Sequence, residues 1–237
     1  MNKPFKFKQF TVNQDQCAMK IGTDGVLLGA WTSVDHKPFN ALDIGAGTGI
    51  LSLMIAQRSN AEQIEAIEID DDAFEQCAEN FENSPWNDRL FCFHASLIEY
   101  IEAVDETFDL IICNPPFYSE DYKSVNKARN LARFSDAMPM EHIIYAVNNF
   151  LSENGIFSIV IPHKMENTFI EEASLIGLFP NRVLRVKGNP NTEIKRSLIE
   201  FSYTETATKI SELIIETERH QYTGDYINLT KDFYLKM

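Results

Sequence analysis

"NALDIGAGTGILSLMIAQRS", residues 40 to 59, carries a short apolar run through a turn with three glycines into a stretch with helical periodicity. A strand, a glycine-rich turn and a helix in that order are the first half of a βαβ unit. The chain then repeats the pattern. "QIEAIEI" (63–69) reads as a strand and "DDAFEQCAENFENS" (71–84) as a helix whose opening acids suit its N-terminal dipole. "RLFCFHA" (89–95), "SLIEYIEAV" (96–104) and "FDLIIC" (108–113) continue as strand, helix, strand. Further on come a helix in "MEHIIYAVNNFLSE" (140–153), a strand in "GIFSIVIP" (155–162) and a helix in "HKMENTFIEEASLIG" (163–177). Strands separated by helices at these lengths predict a parallel sheet covered on both faces. "NRVLRVKG" (181–188) and "RSLIEFSYTE" (196–205) are joined by too few residues for a parallel crossover and should pair antiparallel. The expected fold is α/β, doubly wound and Rossmann-like, with a seven-stranded mostly parallel sheet closed by an antiparallel strand. One domain over residues 1–237 is expected, with 1–35 as an N-terminal cover.

Composition sets the class. With 237 residues, 44% hydrophobic and 24% charged, the chain has the make-up of an ordinary globule. No apolar stretch is long enough for a signal peptide core or a bilayer span, so a cytoplasmic protein without a membrane partner is expected. Cys17, Cys77, Cys92 and Cys113 are scattered and form no C-x-x-C pair. They are read as small buried hydrophobes, and no metal is expected. The net charge of −14 is unevenly spread. No Lys or Arg falls between Arg58 and Arg89, whereas Arg182, Arg185, Lys187, Lys195 and Arg196 crowd one later segment. Lys3, Lys6 and Lys8 form a second basic group, and Lys123, Lys127, Arg129 and Arg133 a third.

In an open α/β sheet, ligands bind beyond the carboxyl ends of the strands, where the strand order reverses. Gly45, Gly47 and Gly49 lie at such an end and let the backbone come close to a ligand. Their spacing is G-x-G-x-G, whereas a dinucleotide fingerprint requires G-x-G-x-x-G. Asp43 precedes the first glycine by two positions, where it would repel a pyrophosphate but could hold an ammonium or an ordered water. Glu68 ends the next strand, where a carboxylate can accept hydrogen bonds from ribose hydroxyls. A nucleoside that bears an amine and no phosphates fits both acids, and S-adenosylmethionine is one. These features resemble the class I S-adenosylmethionine-dependent methyltransferases. The resemblance implies that the turn from Gly45 through Ala46 and Gly47 to Gly49 approaches the methionine part of the cofactor. It also implies that Glu68 holds the ribose, that Ile69 packs on the adenine, and that Ser96 and Leu97 stand beside it. Ser96 occupies a place where that family usually has an acid.

"NPPF", Asn114 to Phe117, ends the fourth expected strand beside this turn, so Asn114 is also expected to border the cofactor. An exocyclic amine on a base is a weak nucleophile because its lone pair is delocalised into the ring. The Asn114 side-chain oxygen and the Pro115 carbonyl can each accept one of its N–H groups, and Pro115 and Pro116 fix the backbone that presents them. Phe117 offers a face on which the target ring can stack, worth ~1–3 kcal/mol in nucleic-acid binders. The tetrapeptide resembles the amine-methylating motif of adenine N6, guanine N2 and protein glutamine N5 methyltransferases.

Outer motifs narrow the resemblance. "KIGTDGVLLGAW" (20–31), with Thr23 or Asp24 expected as helix N-cap, "NSPW" (83–86), "NPPF" and the ending "YINLTKDFYLKM" are together similar to the bacterial tRNA1(Val) (adenine-37 N6)-methyltransferase family. That resemblance implies methylation of the adenine just 3′ of the anticodon, with the tRNA1(Val) anticodon loop as partner. It further implies that Lys20, Thr23 and Asp24 border the cofactor pocket. A monomer is expected, with Arg185, Lys195 and Arg196 holding RNA. Alternatives are ribosomal RNA guanine N2 or protein glutamine N5 as target, or a nucleoside-binding module without catalysis. The segment 118–139 lacks a strand period and is long for a connection, which favours a substrate loop.

Overall fold

The computed structural model describes residues 3–116 and 138–237. Phe117, the basic residues Lys123, Lys127, Arg129 and Arg133, and most of the expected substrate loop lie outside the described residues. After a small hairpin of β1 (Phe5–Lys6) and β2 (Thr11–Val12) comes α1 (Thr23–Trp31). The main series follows as β3 (Asn40–Ile44), α2 (Ile50–Arg58), β4 (Gln63–Glu68), α3 (Asp71–Glu82), β5 (Leu90–His94), α4 (Leu97–Ala103) and β6 (Phe108–Cys113). Then come α5 (Met140–Phe150), β7 (Leu151–Pro162), a 3₁₀ turn (His163–Met165), α6 (Glu166–Ser174), β8 (Phe179–Lys187), β9 (Ile194–Ser202) and β10 (Lys209–Ile214). A hairpin of β11 (Glu216–Glu218) and β12 (Gln221–Tyr222) and helix α7 (Gly224–Thr230) end the chain.

The large sheet has the order β10-β8-β9-β7-β6-β3-β4-β5. Strands β3 to β7 are parallel, and β9 runs antiparallel to both β7 and β8, as the short connection required. The sheet has one strand more than the seven expected, because β10 adds to β8 in parallel at the edge. Its burial pattern is almost wholly exposed, so "KISELI" lacks the buried apolar run that marked the other strands.

Residue alternation divides the core between two faces. Ala41, Ile64, Leu110, Ile112, Val160 and Leu198 belong to one apolar cluster with residues of α1, α2 and α3. Leu42, Ile67, Ile111, Ile159 and Ile199 belong to the other, with α4, α5 and α6. Both faces of the central parallel strands are therefore buried, whereas the edge strand β5 leaves Phe91 and Phe93 exposed. The chain moves outward from β3 to β4 and β5, then returns to the other side of β3 as β6, so the strand order reverses between β3 and β6. That reversal leaves a cleft beyond their carboxyl ends. Among the described residues no helix is long and apolar enough to cross a membrane.

Candidate active site

The glycine turn leaves β3 with Gly45, Gly47 and Gly49 all at positive φ, so each occupies the left-handed region that a side chain disfavours. The Gly45 and Ala46 amides both donate to the Ile67 carbonyl at 3.0 Å, which lashes the turn to β4. The three glycines serve different ends. A Cβ at Gly47 would meet nothing within 4 Å, because that position faces the cleft. A Cβ at Gly45 would stand 2.7 Å from Met138 Cε. At Gly49 it would stand 2.5 Å from Phe81 Cε1 and 2.8 Å from Cys77 Sγ, so this glycine lets α2 start against α3.

Glu68 is almost fully buried and faces the same cleft. Its Oε2 accepts from the Gly47 amide at 2.7 Å, and its Oε1 accepts from the Ile69 and Asp70 amides at 2.9 Å each. Three of roughly four acceptor sites on a carboxylate are thus used, leaving about one, on Oε2, for a ligand hydroxyl. Ile69, 43% exposed, offers an apolar surface beside it. Asp43 is buried beneath the turn, and its Oδ2 accepts from the Ser52 amide at 3.1 Å and hydroxyl at 2.7 Å. Burial pushes its carboxyl up to about 7, against the lowering pull of the Ser52 hydrogen bonds and with Glu68 adding to the rise. Its other oxygen, Oδ1, is buried without a partner among the described residues.

The cleft opens beside Glu68, at the carboxyl ends of β3 and β4. Gly45, Gly47, Glu68, Ile69 and Leu97 of the expected cofactor residues line it, together with Pro116 of the "NPP" turn. Ser96 does not. Its hydroxyl donates to Glu99 Oε2 at 2.7 Å and accepts from the Glu99 amide at 3.2 Å, closing a capping box at the start of α4. Lys20 donates to the Gln14 carbonyl at 3.4 Å. Neither Thr23 nor Asp24 caps α1: Gly22 holds the N-cap place, because both residues already lie in the first turn. Asp24 instead accepts from Arg196 Nε at 2.7 Å. The same helix abuts the motif, since a Cβ at Gly25 would stand 3.6 Å from Asn114 Nδ2.

Sequence reasoning did not find the remaining wall. Cys17, Ala18 and Met19 close one side of the cleft, Ala73 of α3 adds to it, and Met138 lies against Gly45. A signal was present in α3, where Gln76 and Asn80 stand four apart on the buried side among Ala73, Cys77 and Phe81. Of the expected RNA contacts, Lys195 is exposed. Arg185 is paired with the buried Glu166 at 2.6 Å, and Arg196 with Asp24. Lys8 donates to the Lys231 and Met237 carbonyls. Among the described residues no group of three His, Cys, Asp or Glu side chains could hold a metal ion.

An open glycine at Gly47, a backbone-held carboxylate at Glu68 and the apolar Ile69 fit an uncharged ribose and a flat ring, with the unpartnered Asp43 oxygen buried beneath the turn rather than in the cleft. Comparison with known proteins agrees on methyl transfer. Residues 25–181 match the family described as Methyltransferase small domain. The fold is similar to the crystal structure of a predicted O-methyltransferase from Agrobacterium tumefaciens, with a TM-score of 0.68 over 89% of this chain and 96% of that one, at 19% identity. In sequence the chain is 44% identical to the tRNA1(Val) (adenine(37)-N6)-methyltransferase of Bacteroides fragilis over the whole of both chains. It is 60% identical to the protein of the same name from Flavobacterium johnsoniae, over 98% of this chain and 100% of the relative. Likeness at that level over nearly the full length of both chains means that the chain belongs to the tRNA1(Val) (adenine(37)-N6)-methyltransferase family.

Proposed function

We propose that the protein transfers the methyl group of S-adenosylmethionine to the exocyclic N6 amine of adenine 37, beside the anticodon of tRNA1(Val). The observation that carries this reading is that Pro116 lines the same cleft as Gly47, Glu68 and Ile69. A methyl donor held by the latter three would therefore lie beside the acceptors of the "NPP" turn. S-adenosylmethionine would be held by Gly45, Ala46 and Gly47 along the turn, with Glu68 on its ribose and Ile69 and Leu97 on its ring; when bound it supplies an electrophilic methyl on sulfur. Asp43 would serve its ammonium, directly or through water.

Asn114 and Pro115 act on the base. The Asn114 side-chain oxygen accepts one N–H of the adenine amine and the Pro115 carbonyl the other, which localises the nitrogen lone pair and aims it into the cleft. No strong base is required, because the amine becomes acidic on methylation and its proton passes to solvent. Phe117 is proposed as the ring on which the adenine stacks. Lys195 is proposed to meet phosphate, with Arg185 and Arg196 shaping that surface through their ion pairs. The protein is proposed to act as a monomer, without metal, in the cytoplasm where tRNA is modified.

The test is direct. Purified protein is incubated with unmodified tRNA1(Val) transcript and S-adenosylmethionine, and nuclease fragments are read by mass spectrometry. One added methyl on the adenine 37 nucleoside is expected, and none in a transcript with guanine there. Methylation at another base, or no methylation by protein that binds S-adenosylhomocysteine, would overturn the assignment.

A further inference from the structure

The wall formed by Cys17, Ala18 and Met19 belongs to a strap, residues 13–19, that follows β2 and has no strand partner of its own. Its backbone is held instead by two side chains of α3. Asn80 Oδ1 accepts from the Asn13 amide at 2.8 Å, and Asn80 Nδ2 donates to the Asn13 carbonyl at 2.9 Å. The same Nδ2 donates to the Thr48 carbonyl at 2.9 Å, inside the glycine turn. One turn earlier, Gln76 Oε1 accepts from the amides of Gln16 at 3.0 Å and Cys17 at 3.3 Å, while its Nε2 donates to Asp15 Oδ1 at 2.9 Å. Both amides are nearly inaccessible, at 1% and 2% exposure.

A buried amide costs stability unless it is fully hydrogen-bonded, and a purely apolar stripe would have packed α3 without that burden. What the amides hold is one side of the cleft. Ala18 and Met19 are exposed; besides the two amides, the strap is anchored by the buried Cys17 side chain and closed on itself at Gln14, which accepts from the Ile21 amide at 3.0 Å and from Lys20 Nζ. Asn80 ties it to the cofactor turn through Thr48, and the strap runs on into α1, whose Gly25 abuts Asn114.

We infer that Gln76 and Asn80 are positioning residues that keep the strap closed over the cofactor cleft and lock its position to that of the glycine turn. This deepens the methyltransferase reading and rests on it. The side chains touch no reacting atom; they set how tightly the cofactor is retained.

Two readouts test it, S-adenosylhomocysteine affinity by calorimetry and backbone amide exchange without ligand. Gln76→Ala should weaken affinity roughly tenfold, the equivalent of one hydrogen bond, and speed exchange at Gln16 and Cys17 by a similar factor. Exchange in β3 and β6, and kcat at saturating cofactor, should stay within about twofold, a split that a general loss of stability would not produce. Gln76→Glu keeps the acceptor but sets a carboxylate against Asp15, and should also weaken binding. Adding Asp15→Asn restores a donor to that carboxylate and should bring affinity back to within about threefold of wild type. If Gln76→Ala lacks a folding transition, this exchange of donor and acceptor carries the test. Wild-type affinity in Gln76→Ala, or no recovery in the double variant, would overturn the inference. Wild-type protein that binds no S-adenosylhomocysteine would instead defeat the methyltransferase reading. Unchanged exchange at Gln16 and Cys17 in ligand-free Gln76→Ala would then overturn the strap on its own.

Discussion

Arg196 Nε donates to Asp24 Oδ2 at 2.7 Å, across 172 residues of sequence, and so joins the start of β9 to the first turn of α1. Both side chains are about one-third exposed, at 32% and 35%, so the pair is worth no more than about 1 kcal/mol. It ties α1, whose Gly25 lies beside Asn114, to β9. Arg196→Ala should lower kcat more than it lowers RNA affinity. Lys195→Ala, which removes a charge with no ion-pair partner among the described residues, should do the reverse and flatten the slope of log affinity against log salt by about one unit. Filter binding across a salt series and steady-state kinetics on both variants check the contrast. Equal salt slopes in the two would place both charges on phosphate.

Arg185 also sits in an ion pair, with a partner far more buried. Glu166 is 3% exposed and accepts from Arg185 Nη2 at 2.6 Å and from the Ser197 hydroxyl. Burial alone would raise its carboxyl, but the Arg185 and Ser197 hydrogen bonds outweigh it and hold it below the ordinary range. Such a depressed group stabilises the fold above its unfolded value of 4.5 and loses that contribution as pH falls through the folded value. Arg185→Ala removes the carboxylate's strongest partner, leaving Ser197 and His163 beside it, and should cost about 2 kcal/mol. Chemical denaturation should show that loss near neutral pH, shrinking below pH 4.5, before any RNA effect is interpreted.

Gly47 and Gly49 should respond differently to the same methyl. Both have positive φ, so Ala costs about 1 kcal/mol of backbone strain at either. At Gly49 the Cβ also meets Phe81 Cε1 at 2.5 Å, and the overpacking should add about 1–3 kcal/mol. At Gly47 it enters the open cleft. Gly49→Ala should lower the thermal midpoint markedly, and Gly47→Ala should mainly weaken S-adenosylhomocysteine binding. Thermal melts with and without that ligand separate the two.

Much of this arrangement was legible in the sequence because parallel strands buried on both faces are apolar runs, as "NALDI" and "FDLIIC" are. The glycine turn and Glu68 were legible for a related reason: position at a strand end confers meaning on a residue. Strand β10 was hidden because it lies at an edge and needs no apolar face. The strap escaped because its hold comes from Gln76 and Asn80, more than fifty positions downstream, and nothing local to residues 13–19 announces it. The ion pairs of Arg185 and Arg196 were hidden because their partners, Glu166 and Asp24, are remote in sequence.

Asp43 gives the protein a pH signature. Its carboxyl rises from 3.8 to about 7, with burial as the main cause. A raised carboxyl contributes stability that is fully present below 3.8 and is lost as pH climbs through about 7. Asp43→Asn, which keeps an acceptor for Ser52 and never ionises, should therefore gain on wild type across that window and be the more stable protein at pH 8. A bound ammonium would favour the ionised form, so wild-type affinity for S-adenosylhomocysteine should increase from pH 6 to pH 8, and that of Asp43→Asn should stay flat. Parallel profiles for both proteins would mean that Asp43 does not titrate in this range.

Asn114 bears the heaviest chemical role and should be the most separable from binding. Its side-chain oxygen is proposed to accept one N–H of the reacting amine, an interaction that strengthens only as the nitrogen becomes pyramidal. By analogy with removing one preorganised transition-state hydrogen bond, Asn114→Ala should reduce kcat by about 10²–10³. Pro116, not Asn114, lines the cleft beside Glu68 and Ile69, so S-adenosylhomocysteine affinity should stay within about threefold. Asn114→Asp is the sharper variant. A carboxylate is a stronger acceptor and can still take the N–H, so activity should recover part of the loss, unless α1, packed 3.6 Å away at Gly25, cannot tolerate the charge. A thermal melt of Asn114→Asp tells those two outcomes apart. Full activity in Asn114→Ala would mean that "NPP" is only a strand stop in this chain, and that the amine is activated by other residues.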